Sequence, residues 1–267
     1  MLGKLIKYEF KATGRLLIPL YGALIIFTFI NKIFMGDFLY NSDTILGNIP
    51  QILAILIYVG IMVAIFVVTV FIIIQRYRTN LLCDEGYLMN TIPVKSWENI
   101  LSKLVVALVW SIASIVISVI SIIILAYQKG LFTKIITTIP VFFNDVNKIA
   151  GIQGFLIILE IILMMIINVV FSILMIYASL SIGSLFQKQK ILASFGAFIV
   201  LNIATNIIAS MVQLQLMLGL DLTGTMNNSE ITAVSIFIGV MLGISILFSI
   251  AYFIISNYIL NKKLNLD

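Results

Sequence analysis

Six long apolar stretches run through this chain, and no segment between them is large enough to fold alone. An apolar run of about 20 residues spans the hydrocarbon core of a bilayer as a helix. Inside lipid the backbone has no water to bond to, so it must satisfy its own donors and acceptors. The stretches Ile52 to Ile74, Leu104 to Tyr127, Ile191 to Leu220 and Ile231 to Leu260 contain no charged residue. Phe155 to Phe186 contains one, Glu160, and Leu16 to Phe34 contains Lys32 near its end. The expected fold is all-α: a polytopic membrane protein of six transmembrane helices, forming one membrane domain over 1–267 with an interfacial helix over 1–15. Only 10% of the residues are charged against 62% hydrophobic, far from the roughly 25% charged of soluble domains.

The net charge of +5 reads as a topology signal rather than a nucleic-acid footprint, because basic residues collect in cytoplasmic loops. Lys4, Lys7, Lys11, Arg15, Arg76, Arg78, Lys95, Lys103, Lys188, Lys190, Lys262 and Lys263 fall on one side of a six-span arrangement. Lys32, Lys129, Lys134 and Lys148 fall on the other. The first side is expected to be cytosolic, with both termini inside. The first apolar run is too long for a cleaved signal peptide and reads as a retained span.

Residues 2–15 carry Leu2, Ile6 and Phe10 at intervals of four, with the basic residues on another face. That spacing suits a helix lying in the interface, its lysines toward anionic headgroups of membrane lipid. Pro19 is expected near the start of span 1, where a missing amide costs little. The segment 76–103 reads RYRTNLLCDEGYLMNTIPVKSWENILSK. A short helix is expected over Asp84 to Thr91, capped by Asp84, with Pro93 ending it. Ser96 is expected to cap the next helix, with Glu98 in its first turn. The connection 128–154 is too apolar to stand free in water and is expected to lie along the outer interface or pack onto the spans.

Several chemistries are excluded. With no histidine and one cysteine, Cys83, neither a Ser-His mechanism nor a His- or Cys-ligated metal site can be built. No GxxxxGK[ST] sequence is present, so the chain does not cradle ATP phosphates in that way. An enzyme acting alone is not expected; no cofactor, metal or nucleic acid is expected on this chain.

The segment 76–103 resembles the loop between spans 2 and 3 of the second large family of ABC exporter permeases, the ABC-two exporter family with a type V exporter membrane domain. The matching residues are Arg76 and Arg78, then Asp84, Glu85, Gly86, Tyr87 and Leu88, then Pro93 and Lys103. The N-terminal LIKYEFKATGR is similar to the helix that leads into span 1 in that family. The resemblance implies a permease subunit whose span 2–3 loop is a coupling helix. Arg78, Asp84, Glu85, Gly86, Tyr87 and Pro93 would then dock a separate cytosolic ABC ATPase subunit, which holds ATP and magnesium. It also implies a second permease chain, as homodimer or heterodimer, and outward movement of a peptide, drug or lipid-like substrate across the cytoplasmic membrane. Read from its residues alone, the loop is more simply a solvated one whose acids balance its basic neighbours.

Within the spans, Glu160 is the one acid, and intramembrane carboxylates are costly and often functional. It is either an interfacial, paired group or a substrate or proton site. Asn202 and Asn206 share a face of span 5 with Thr205 beside it, and Asn168 lies mid-span 4. Such amides either bond across a helix interface or line a transport path, to which Met62, Phe66 and Thr69 of span 2 are further candidates. Three other roles stay open: a secondary transporter using Glu160, a peptide immunity or sensing component with an ATPase partner, and a structural anchor.

Overall fold

Helices form where these apolar runs lie, and they are long because nothing inside them competes with the backbone. In the computed structural model, residues 2–35, 49–82, 95–126, 131–186, 188–219 and 228–262 are described. They form α1 (Leu2–Met35), α2 (Ile49–Tyr77), α3 (Ser96–Ala126), α4 (Leu131–Gly183), α5 (Lys190–Gly219) and α6 (Asn228–Lys262), with no strand among the described residues. Six of these helical segments are long and apolar enough to cross a membrane. The chain is therefore a multi-pass membrane protein.

The chain divides into two compact units, Met1–Arg76 with Leu101–Phe132, and Tyr77–Ile100 with Thr133–Asp267. In the first, α1, α2 and α3 enclose a core of Leu17, Tyr21, Leu24, Tyr58, Ile65, Ile72, Val106 and Trp110. Through this core runs a file of paired hydroxyls. Ser114 Oγ lies 2.8 Å from Tyr21 OH and 2.9 Å from Thr69 Oγ1. Two helical turns further along, Ser121 Oγ lies 2.8 Å from Thr28 Oγ1 and 2.7 Å from Tyr58 OH. The order of these pairs makes α1 parallel to α3 and α2 antiparallel to both. Each hydroxyl buried here needs a partner, because lipid and apolar side chains offer none.

The N-terminal end of α1 is bound to α3 in the same way. Lys103 Nζ pairs with a carboxylate oxygen of Glu9, both residues buried at 3% and 7% exposure. Trp110 Nε1 donates to Thr13 Oγ1 at 2.7 Å, and Phe10 stacks on the Trp110 ring at 4.7 Å. Gly14 makes room for that ring: a Cβ there would stand 3.2 Å from Trp110. At the far end Lys32 Nζ donates to the Ile124 and Leu125 carbonyls, satisfying the last carbonyls of α3 and its negative dipole end.

These contacts bear on three expectations. The interfacial helix and span 1 are one continuous helix, since Glu9, Thr13, Leu17, Tyr21, Leu24 and Thr28 form one buried stripe along it. Lys4, Lys7, Lys11 and Arg15 remain exposed on the other face. Pro19 consequently sits mid-helix rather than near a start; it points away from the core, where a membrane helix tolerates proline. Thr69 of span 2 bonds inward to α3 and Met62 packs against the same core, while Phe66 is exposed.

In the second unit, α4 is two helices merged across Gly151, whose φ of 55° and ψ of −137° are not helical. Only glycine enters that conformation without strain. Ring contacts show how sharp the turn is. Phe143 and Phe155 stack at 6.0 Å, although twelve residues of straight helix would part them by about 18 Å. At the other end of α4, a Cβ on Gly183 would overlap Ser194 of α5, so the 184–189 connection is tight because residue 183 has no side chain. Residues 128–154, expected as an interfacial or packed connection, are helical from Leu131 onward.

Candidate functional site

Two places in the second unit bear on the sequence-predicted residues. The first is the pair of roots from which the 83–94 segment springs. After Tyr77, α2 widens into a π-helical turn, Arg78–Leu82, with Leu81 and Leu82 buried and Arg78 exposed. Such widened turns are often found at functional sites. Tyr77 is fully buried: its hydroxyl bonds to Ser181 Oγ at 2.7 Å and its ring stacks on Tyr177 at 4.1 Å, 12° from parallel. The returning root is tied to α6, where Ser96 Oγ donates to Asn261 Oδ1 at 2.7 Å. Ser96 is the first residue of α3, and its hydroxyl donates to a neighbouring helix; Glu98 stands in the first turn. Asp84, Glu85, Gly86, Tyr87 and Pro93, with the expected short helix, lie outside the described residues. Lys103, matched to the family loop, is spent on Glu9.

The second place lies within the spans. Glu160 of α4 accepts a hydrogen bond from Ser235 Oγ of α6 at 2.7 Å. Its other oxygen, Oε2, is buried with no hydrogen-bond partner among the described residues. Thr205 is buried, donates to the Leu201 carbonyl and lies 3.0 Å from Tyr252 OH. Ser235 and Tyr252 are seventeen residues apart on α6, about 25 Å along its axis, so Glu160 and Thr205 belong to separate sites. Asn168 accepts the Ser172 hydroxyl on its backbone carbonyl at 2.8 Å.

Asn202 and Asn206 bond within their own helix. Asn206 Nδ2 donates to Asn202 O and to Asn202 Oδ1, each at 2.8 Å. Asn206 is exposed, as is Gln213 seven residues on, and at 100° per residue the three amides fall within about 40° of one another. Thr205 carries the cross-helix bond, while the amide stripe looks outward. Exposed amides halfway along a membrane helix are costly against lipid. A second protein surface or water in front of them would lower that cost.

Sequence reasoning missed the hydroxyl file of the first unit and the Glu9–Lys103 pair. A signal existed for the file: Tyr21 and Thr28, and Ser114 and Ser121, each recur at seven. No family model matches this chain, nor does any curated protein or any solved structure.

Proposed function

We propose that this chain is the membrane-spanning permease subunit of an ABC exporter in a cytoplasmic membrane, with both termini cytosolic. The substrate crosses at an interface with a second permease chain, and ATP is hydrolysed by a separate cytosolic subunit docked on 76–103. The observation that carries this reading is the amide stripe of α5, with Asn206 and Gln213 exposed and Asn202 half-buried beside them. A polar stripe at that depth suits a water-lined path or a partner helix and does not suit lipid. The loop roots support the coupling half of the reading. A loop that passes on a push needs stiff attachments, and Tyr77–Ser181 and Ser96–Asn261 tie its two ends to α4 and α6.

The test is purification of the chain from its native membrane, with ATPase activity assayed on the eluate. A co-purifying ATPase, lost in Asp84→Arg and Glu85→Arg while the permease stays folded, is the expected result. No ATPase under any detergent condition contradicts the reading.

A second reading, a secondary transporter, is favoured by one observation: Glu160 is an intramembrane acid with one oxygen unpartnered among the described residues. In that case Glu160→Gln abolishes transport; under the exporter reading transport persists.

A further inference from the structure

The helix before Gly151 separates its residues by chemistry. Stepping 100° per residue from Leu131, the apolar residues Leu131, Phe132, Ile135, Ile136, Ile139, Phe142, Phe143, Val146, Ile149 and Ala150 occupy one arc of about 140°. Thr133, Lys134, Thr137, Thr138, Asn144, Asp145, Asn147 and Lys148 fill the rest, with Pro140 and Val141 among them. The described side chains on the apolar arc are largely uncovered: Ile136 is 63% exposed, Ile139 50%, Phe142 54% and Phe143 44%. The polar face carries two lysines and one aspartate, so it is near neutral.

A helix with these two faces is neither a span nor a water-soluble element. It is too polar on one side to cross lipid and too apolar on the other to stand in water. Its position fixes the environment. It is joined through four residues to the end of α3 and through Gly151 to the beginning of the α4 span, so both its ends are held at a membrane surface. The Gly151 reversal brings its last turns back against the start of the span, with Val146 2.6 Å from where a Gly154 Cβ would be.

We propose that the 131–150 segment is an in-plane lipid-binding helix, its Ile136–Ile139–Phe143 face sunk to the headgroup–acyl boundary and its Lys134–Thr137–Lys148 face in water. The occupant of its uncovered face is lipid, because the segments it joins at its two ends, Ser96–Ala126 and Ala150–Gly183, are both membrane spans. Binding rests on apolar area rather than on anionic headgroups, since the polar face lacks a basic excess.

The test is a nitroxide scan of the full chain in liposomes, in a Cys83→Ser background, with single cysteines at Ile136, Ile139 and Phe143 and at Thr137, Asn144 and Lys148. Collision rates with oxygen, which partitions into lipid, and with a water-soluble nickel chelate are measured at each. The expected result is a 3.6-residue alternation: oxygen severalfold ahead of nickel at the first three positions and the order reversed at the last three. Nickel exposure at all six means the helix stands in water and overturns the proposal. Immobile labels reached by neither reagent at the first three mean a protein surface, such as a second copy, covers the face. Oxygen dominance at all six means a membrane-buried helix; either result overturns it too.

Discussion

Glu9 and Lys103 are the two charges most deeply withdrawn from solvent in the first unit. Removing one partner of a buried pair strands the other, at a cost of about 3–5 kcal/mol. Glu9→Gln and Lys103→Met should each lower the thermal stability of the purified chain markedly. The double variant Glu9→Leu with Lys103→Met should recover much of the loss, because no charge is then left alone. Equal loss in single and double variants would show that the pair matters for packing and not for charge. The hydroxyls of the file act in smaller increments, since interhelical hydrogen bonds in membranes average about 0.6 kcal/mol. Thr69→Val and Tyr21→Phe should therefore be mild beside Trp110→Ala, which opens a cavity costing about 3–5 kcal/mol. A Thr69→Val variant as damaged as Trp110→Ala in a denaturant titration would contradict that ranking. At this scale the sequence was partly opaque for a plain reason: Glu9 and Lys103 are 94 positions apart, and nothing local announces their meeting. Lys103 reads from sequence as a topology charge, and Ser and Thr hardly change the hydropathy of a span.

Elements were far more legible. Their apolar runs are set by the thickness of the hydrocarbon, so the spans could be placed from composition alone. What the runs do not reveal is where a helix continues past its apolar part. α1 continues back to Leu2 because Thr13 and Phe10 have a partner in Trp110, and the 131–150 helix hides in a segment whose Pro and Asn content looks like a loop. Its signal was present in the period of its apolar residues. Two glycines set the joints. An alanine at Gly151 must adopt a φ of 55°, a strain of about 1–3 kcal/mol. Gly183→Val forces α4 from Ser194, an overpacking cost of about 1–3 kcal/mol. Both should lower the thermal midpoint, and Gly183→Val should do so even though it makes the chain more apolar. An unchanged midpoint for Gly183→Val would mean that the α4–α5 approach is looser than the structure has it. At the loop root, Tyr77→Phe keeps the stack on Tyr177 and loses the bond to Ser181, worth about 1 kcal/mol. Under the proposed coupling it should leave ATPase docking intact and weaken the response of ATP hydrolysis to substrate. Loss of docking in Tyr77→Phe would place the tyrosine in the docking surface itself.

For the whole molecule, the division between units falls at Arg76/Tyr77 on α2, at Ile100/Leu101 on α3 and at Phe132/Thr133 near the start of α4. Both α2 and α3 thus begin or end in one unit and carry the loop roots in the other. This is the connection the proposed function uses: under that proposal the segment between the roots would meet the ATPase, and the roots are bonded into α4 and α6. The sequence supplied the location of that segment and the family it resembles, while the ties to Ser181 and Asn261 depend on side chains 104 and 165 positions away. The same dependence explains why the outward amide stripe could be read as helix glue: a face is visible in sequence, but not what stands in front of it. Cys83, the one cysteine, lies in the segment at issue and makes the central claim directly measurable. A membrane-impermeant maleimide is applied to intact cells, to inverted membrane vesicles as prepared, and to the same vesicles stripped of peripheral proteins. The account predicts no labelling from outside the cell, weak labelling in unstripped vesicles and strong labelling after stripping, with protection restored by adding back the ATPase fraction. Labelling of Cys83 in intact cells, or equal labelling before and after stripping, would contradict a cytosolic loop covered by an ATPase.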